Sequence, residues 1–166
     1  MDKGNRNAYV AKSIAQIDAK KKAALGNLSK RYDAFQDITW YKSQLSPKYR
    51  NANAFYLYFG VSNGSATNLR LVIQYYADDW LFIDSARVNV DGEIYSVGGS
   101  EWEKDFDSDI WEWSDEPLSD RSLIEAIIKS KTSVIRFDGT QYYGTRTISS
   151  SQKRALQDVL DAFDSF

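Results

Sequence analysis

Between Leu69 and Val97 (LRLVIQYYADDWLFIDSARVNVDGEIYSV) the side chains alternate in a way that suits extended chain. Leu69, Leu71, Ile73 and Tyr75 fall on one face, and Arg70, Val72, Gln74 and Tyr76 on the other. This period of two, rich in β-branched and aromatic residues, predicts a strand. Ala77-Asp78-Asp79 is a short polar break. The alternation resumes over Trp80–Val90, with Trp80, Phe82, Ala86, Val88 and Val90 on one side. Asp84 interrupts that face, and a bulge there is favoured over a buried carboxylate because an unpaired buried charge is costly. Asp91-Gly92 then leads into Glu93–Val97, so the segment reads as three consecutive antiparallel strands. Asp-Gly and Asn-Gly supply the two positive φ angles of a type I′ turn. The same device stands at Asn63-Gly64 and at Asp138-Gly139, which predicts three hairpins.

The flanking sequence adds helices at both ends. Val10, Ile14, Ile17, Ala24, Leu28 and Phe35 recur at helical spacing, interrupted by Lys21, and predict one helix over about residues 7–35. At ~1.5 Å per residue it would be on the order of 40 Å long, more than a compact domain needs. Residues 1–35 therefore read as a helical spacer and 36–166 as one β-rich globular domain. Asp37–Tyr41 and Phe55–Phe59 read as further strands. Leu123, Ile124, Ile127 and Ile128 form the stripe of a helix capped by Ser119 or Asp120. Ser149 and Gln152 form a capping box for a last helix carrying Leu156, Val159, Leu160 and Phe163. The expected fold is α+β: a largely antiparallel β-meander of about six to eight strands, as one sheet or a sandwich. A long N-terminal helix precedes it, and the two helices of the C-terminal half pack on it.

Composition narrows the chemistry. The 166 residues contain no cysteine and no histidine. That removes disulfides, thiolate and imidazole metal sites, cysteine nucleophiles and His-based triads. The net charge of −2 gives no argument for a nucleic-acid partner. No apolar run is long enough to predict a transmembrane segment. No secretory h-region follows Met1, and both an envelope or exported location and a cytoplasmic one remain open.

The most distinctive polar segment is Glu101–Glu116, EWEKDFDSDIWEWSDE. Trp102, Trp111 and Trp113 beside Glu112 would suit a sugar or a cationic ligand, by stacking and cation–π contact, but two same-face Trp on a short strand are an ordinary core pattern, and the core is the favoured place for Trp111 and Trp113. Asp105, Asp107, Asp109 and Glu116 have the spacing of a calcium loop, but Ile110 stands where that loop needs glycine. No cofactor is expected beyond a loosely held divalent cation such as calcium. Glu112 and Asp84 are the nominal carboxylate pair of a glycan hydrolase. Arg136 and Arg146, facing each other across a hairpin with Tyr142, would form an anion patch; pairing with acidic neighbours is the plainer expectation. Lys129-Ser130-Lys131 reads as a helix end.

The pieces TWY (39–41), FYLYFG (55–60), LRLVIQYYADDWLFI (69–83), Asp91-Gly92, WEWSDE (111–116), LIEAIIKSK (123–131) and IRFDGTQYYGTRTISSSQKRALQDVL (135–160) occur in order. Together they resemble an uncharacterised bacterial and prophage-associated family of small β-rich domains, some following a lipoprotein-type leader and a helical spacer. The resemblance spans roughly residues 32–163 and implies no activity and no catalytic residue. The expected function is a non-enzymatic binding or protein-interaction module for an unknown protein or glycan, with self-association through the N-terminal helix. The alternative is a carboxylate-based glycan hydrolase, or a carbohydrate-binding domain, built on segment 101–116.

Overall fold

The computed structural model describes residues 3–166. Helix α1 (Lys3–Gly26) leads into β1 (Leu28–Asp33), β2 (Ile38–Ser43), β3 (Ala54–Ser62) and β4 (Ser65–Ala77). Then come β5 (Ile83–Val90), β6 (Glu93–Val97), β7 (Glu103–Phe106) and β8 (Ile110–Pro117), followed by α2 (Arg121–Lys129), β9 (Ser133–Gly139), β10 (Tyr143–Thr147) and α3 (Ser150–Phe163). The fold is α+β, and every strand pairing is antiparallel, as the alternation predicts. A six-stranded sheet has the order β1-β2-β3-β4-β8-β7, and a four-stranded sheet the order β10-β9-β5-β6. Among the described residues no helix is long and apolar enough to cross a membrane.

Two of the glycine turns behave as expected. Asn63 and Gly64 have φ of 50° and 75°, and Asp91 and Gly92 have 50° and 101°. These reversals join β3 to β4 and β5 to β6. Ser149 and Gln152 close the expected capping box on α3, and Asp120 caps α2 by accepting from the Leu123 N–H.

Four expectations are corrected. Residues 69–97 do not form three neighbouring strands: β4 belongs to the larger sheet, and residues 78–82 carry the chain across to the smaller sheet for β5 and β6. Phe82 sits there with φ of 52°, so the extended run starts at Ile83 rather than Trp80. The N-terminal helix ends at Gly26 rather than Phe35, and residues 28–33 form an edge strand. Only Leu28 of that strand is buried, so LSKRYD carries no strand-like apolar pattern. Finally, Gly139 is not among the positive-φ positions. It is needed for close approach, since a Cβ there would lie 2.0 Å from the Leu81 carbonyl oxygen.

Asp84 does mark a bulge. The β5–β9 register shifts between Ile83 and Ser85, and Asp84 is exposed.

The inner face of the larger sheet is covered in two halves. Phe137 of the smaller sheet packs on Tyr75 at 5.1 Å between ring centroids. Toward β2 and β3, the C-terminal segment takes over, with Phe163 and Phe166 against Phe59 at 5.5 and 5.8 Å. Only the last turns of α1 join this core, through Ala24 and Leu25. Among the described residues, no helix or strand forms a second layer over the outer face of the larger sheet. It carries a small cluster of Ala54, Tyr56 and Val72 with Tyr58 beside it.

Candidate functional site

On that outer face, alternation decides which side chains appear. Tyr41 stacks on Phe59 in the core, so Trp40 and Lys42 of β2 point outward. Phe55, Leu57 and Phe59 of β3 are buried inward, so Tyr56 and Tyr58 point outward too. Arg70 and Gln74 follow on β4, and Trp111, Trp113 and Asp115 on β8.

The loop between β2 and β3 folds back over this surface because Gln74 holds it. Gln74 is 1 % exposed, and its Nε2 donates to the carbonyls of Tyr49, Arg50 and Ala52 at 3.2, 3.3 and 3.0 Å. The held loop presents Arg50. Its guanidinium donates to the Tyr56 hydroxyl, to Gln74 Oε1 and to Asp115. Asp115 also pairs with Arg70 at 2.9 Å and accepts the Tyr58 hydroxyl. Burial first, and the hydrogen bond to Asp115 second, push the Tyr58 phenol up to about 12. Burial and the neighbouring Arg50 charge lower the Lys42 ammonium from its ordinary value. Lys42 donates to the Pro47 carbonyl at 2.7 Å, which ties the other end of the loop.

Between this loop and β1 lies an open groove of about 670 Å³. Trp40, Tyr49, Tyr56 and Tyr58 supply aromatic surface, and Lys30, Arg31, Lys42, Lys48 and Arg50 supply positive charge. Asp33 is the carboxylate among the lining residues, and it is committed to the β1–β2 turn, accepting from the N–H groups of Phe35 and Gln36. Trp40 leans on Tyr58 at 5.6 Å. It also lies over Gly60, where a Cβ would come within 3.1 Å of the indole. Glycine there lets the ring settle against the sheet and form a groove wall. The arrangement can stack planar or apolar ring faces and neutralise acidic groups.

The residues singled out in the sequence are dispersed. Trp111 and Trp113 share a face, as expected, but it is the outer one, and both are half-buried. Trp102 turns the other way and packs edge-on against Phe137 at 5.9 Å, next to the main core. The inward position between the two outer tryptophans belongs to Glu112, which is 1 % exposed. Its Oε2 accepts the N–H groups of Leu81 and Phe82 at 2.9 and 3.1 Å, and its Oε1 that of Ile83 at 2.8 Å. Three backbone donors at the crossover thus hold a carboxylate that the hydrolase reading would need free, while Asp84 points to solvent.

Asp105, Asp107 and Asp109 gather around the β7–β8 turn, but Glu116 lies six residues along β8, roughly 20 Å away at strand spacing. Asp109 accepts the Tyr76 hydroxyl. Among the described residues, no group of three or more acidic side chains is placed to hold a metal ion.

Arg136 and Arg146 do not face each other. Arg136 stands opposite Thr145, so Arg146 is on the other face of the β9–β10 pair. Arg136 pairs with Asp138 at 2.7 Å and covers the Tyr143 ring at 3.8 Å. Arg146 reaches Asn53 and the Tyr76 carbonyl, and Tyr142 is exposed.

The groove was not legible as a site in advance. Its signal in the sequence was the outward set Trp40, Tyr56, Tyr58 beside the basic segment 48–50, which only the fold brings together. No family model, no curated protein and no solved structure matches this chain.

Proposed function

We propose that the protein is a binding module whose ligand lies in the groove on the outer face of the larger sheet, and that this ligand is a short acidic oligosaccharide. The observation that carries this reading is the lining itself: four aromatic rings and five cationic side chains around an open space of about 670 Å³. Lys30, Arg31 and Lys48 are exposed there, while Arg50 is also paired with Asp115, Lys42 with the Pro47 carbonyl, and the one lining carboxylate with the β1–β2 turn. Aromatic walls take the apolar faces of sugar rings, and lysine and arginine take the carboxylates. A long polyanion fits less well. The same sheet face turns acidic within a few strands, at Glu103 and Asp105 on β7, so the cationic track is short. This moves the binding site of the module away from segment 101–116. The family resemblance adds a cell envelope or a prophage as the setting. The projecting N-terminal helix has a separate role in this reading, self-association.

The test is titration calorimetry with a uronate oligomer of about four sugars, against a neutral oligomer of the same length and a single-stranded oligonucleotide. Binding to the uronate, lost in Trp40→Ala and kept in Trp111→Phe, supports the assignment. Equal binding of the neutral sugar, stronger binding of the oligonucleotide, or binding indifferent to Trp40→Ala overturns it.

A further inference from the structure

Helix α1 leaves its apolar stripe bare. Val10, Ile14 and Ile17 are exposed, Ile17 by 64 %, and Tyr9 beside them by 74 %. They recur at spacings of four and three, on one side of the helix. Residues 3–22 carry six basic side chains and the single acid Asp18. Arg6 and Lys20 border the stripe, four residues before Val10 and three after Ile17. The helix is thus a basic rod with a short apolar stripe, and among the described residues it is fastened to the domain at its end, where Lys21 sits over the Phe166 ring at 3.9 Å and Ala24 and Leu25 meet the core.

A surface of opposite character lies where the chain crosses between sheets. Trp80 stacks on Phe82 at 5.6 Å and meets Phe106 edge-on at 6.2 Å. Phe106 is 68 % and Phe82 49 % exposed. Asp78 and Asp79 directly precede Trp80 in the chain and Asp107 directly follows Phe106, and all three are exposed, while Asp105 projects from the other face of β7. Lys104, over the Phe82 ring, is the basic residue within it.

We infer that the N-terminal helix of one copy docks on the acidic aromatic patch of the next, joining copies head to tail. The inference rests on the self-association reading above and names the receiving surface. Charge decides between this and a helix-to-helix dimer. Two copies of α1 would bring like charges together along a seam of only three apolar layers, bounded by Asn7 and Lys21, where a stable coiled coil needs three or four heptads. The patch offers aromatic area to the stripe and acids to its basic border. Such a contact uses two different surfaces, so it leaves one of each unfilled at the ends and propagates into an open oligomer or a ring.

Sedimentation equilibrium of the full chain tests this. The average mass should rise with concentration beyond a dimer, and association should weaken at least about tenfold between roughly 0.05 and 0.5 M salt. Ile14→Glu disables the helix and Phe106→Ser the patch, both at exposed positions that leave the core intact. Each variant alone should be monomeric, and an equimolar mixture should form a dimer and stop there. Self-association that survives in Phe106→Ser overturns the receiving surface but leaves helix-mediated association standing. A full chain that stays monomeric at low salt overturns both. Binding of that monomer to phosphatidylglycerol vesicles, lost in Ile14→Glu, would assign the helix to a membrane surface instead.

Discussion

Glu112 shows how much one buried carboxylate can organise. Its two oxygens accept three consecutive backbone N–H groups at the point where the chain leaves the larger sheet for the smaller one. Without them those donors would be buried with no partner, each unmet donor costing about 1–3 kcal/mol. Glu112→Ala should therefore lower the unfolding free energy by about 4 kcal/mol. Glu112→Gln keeps the shape but turns an amide N–H₂ toward one of the donors, so about 2 kcal/mol is expected. Urea unfolding followed by tryptophan fluorescence gives both values, and a glutamine variant as stable as the parent would refute the account. Asp91 acts in the same manner at the surface. Its carboxylate accepts the N–H groups of Thr132 at 2.8 Å and Lys131 at 3.1 Å, and these bonds, the Thr132 one foremost, lower its pKa. A carboxylate whose pKa is lower folded than unfolded stabilises the fold fully above its unfolded value of about 3.9, and that contribution fades as pH falls through the folded value. Asp91→Asn keeps a residue tolerant of positive φ in the turn. The urea midpoint of this variant should fall less than the parent's between about pH 6 and pH 2.5, around those two pKa values.

At the scale of elements, glycine has two distinct jobs in this chain, and only one leaves a sequence signal. Gly64 and Gly92 provide positive φ in tight reversals, which the dipeptide and its alternating flanks disclose. Gly139 provides clearance. β9 passes the Leu81 carbonyl so closely that no Cβ fits, and that neighbour is set by the crossover, 58 residues earlier in sequence. Gly139→Ala must move backbone against backbone, so a loss of about 2–3 kcal/mol is expected, while Gly26→Ala, with open space around it, should be neutral or slightly stabilising. Thermal unfolding of the two variants separates these roles; a harmless Gly139→Ala would refute the clearance argument. The same contrast explains the rest of the reading. Alternation and caps are local, so β3 to β6, α2 and α3 were legible. Strand β1 was not, because an exposed edge strand buries only Leu28 and its lysine and arginine suit a helix equally. The outward direction of Trp111 and Trp113 was hidden too, since hydropathy places tryptophan inside and Glu112 outside. The groove depended on Gln74, a polar residue on the second face of a strand whose partner carbonyls lie more than twenty residues away.

Across the whole molecule, stability is divided unevenly, and the division bears on assembly. Two sheets and α3 share one continuous core, so this part should unfold in a single transition. Residues 4–20 of α1 are outside it, all exposed but for the half-buried Ser13. An isolated helix of that length is marginal in water, because nucleation is unfavourable and no packed face offsets it. Heating a dilute sample at high salt should therefore show helical signal at 222 nm declining gradually before tryptophan fluorescence changes. Raising the concentration at low salt should bring the two probes together, since a helix held against a neighbouring copy melts with its support. Among the described residues, deleting 1–20 removes no core side chain, so the tryptophan transition of the shortened chain should stay within about 2–3 °C of the parent's at high salt. An early decline that persists undiminished at low salt and high concentration would mean that no neighbour supports the helix, whatever the average mass.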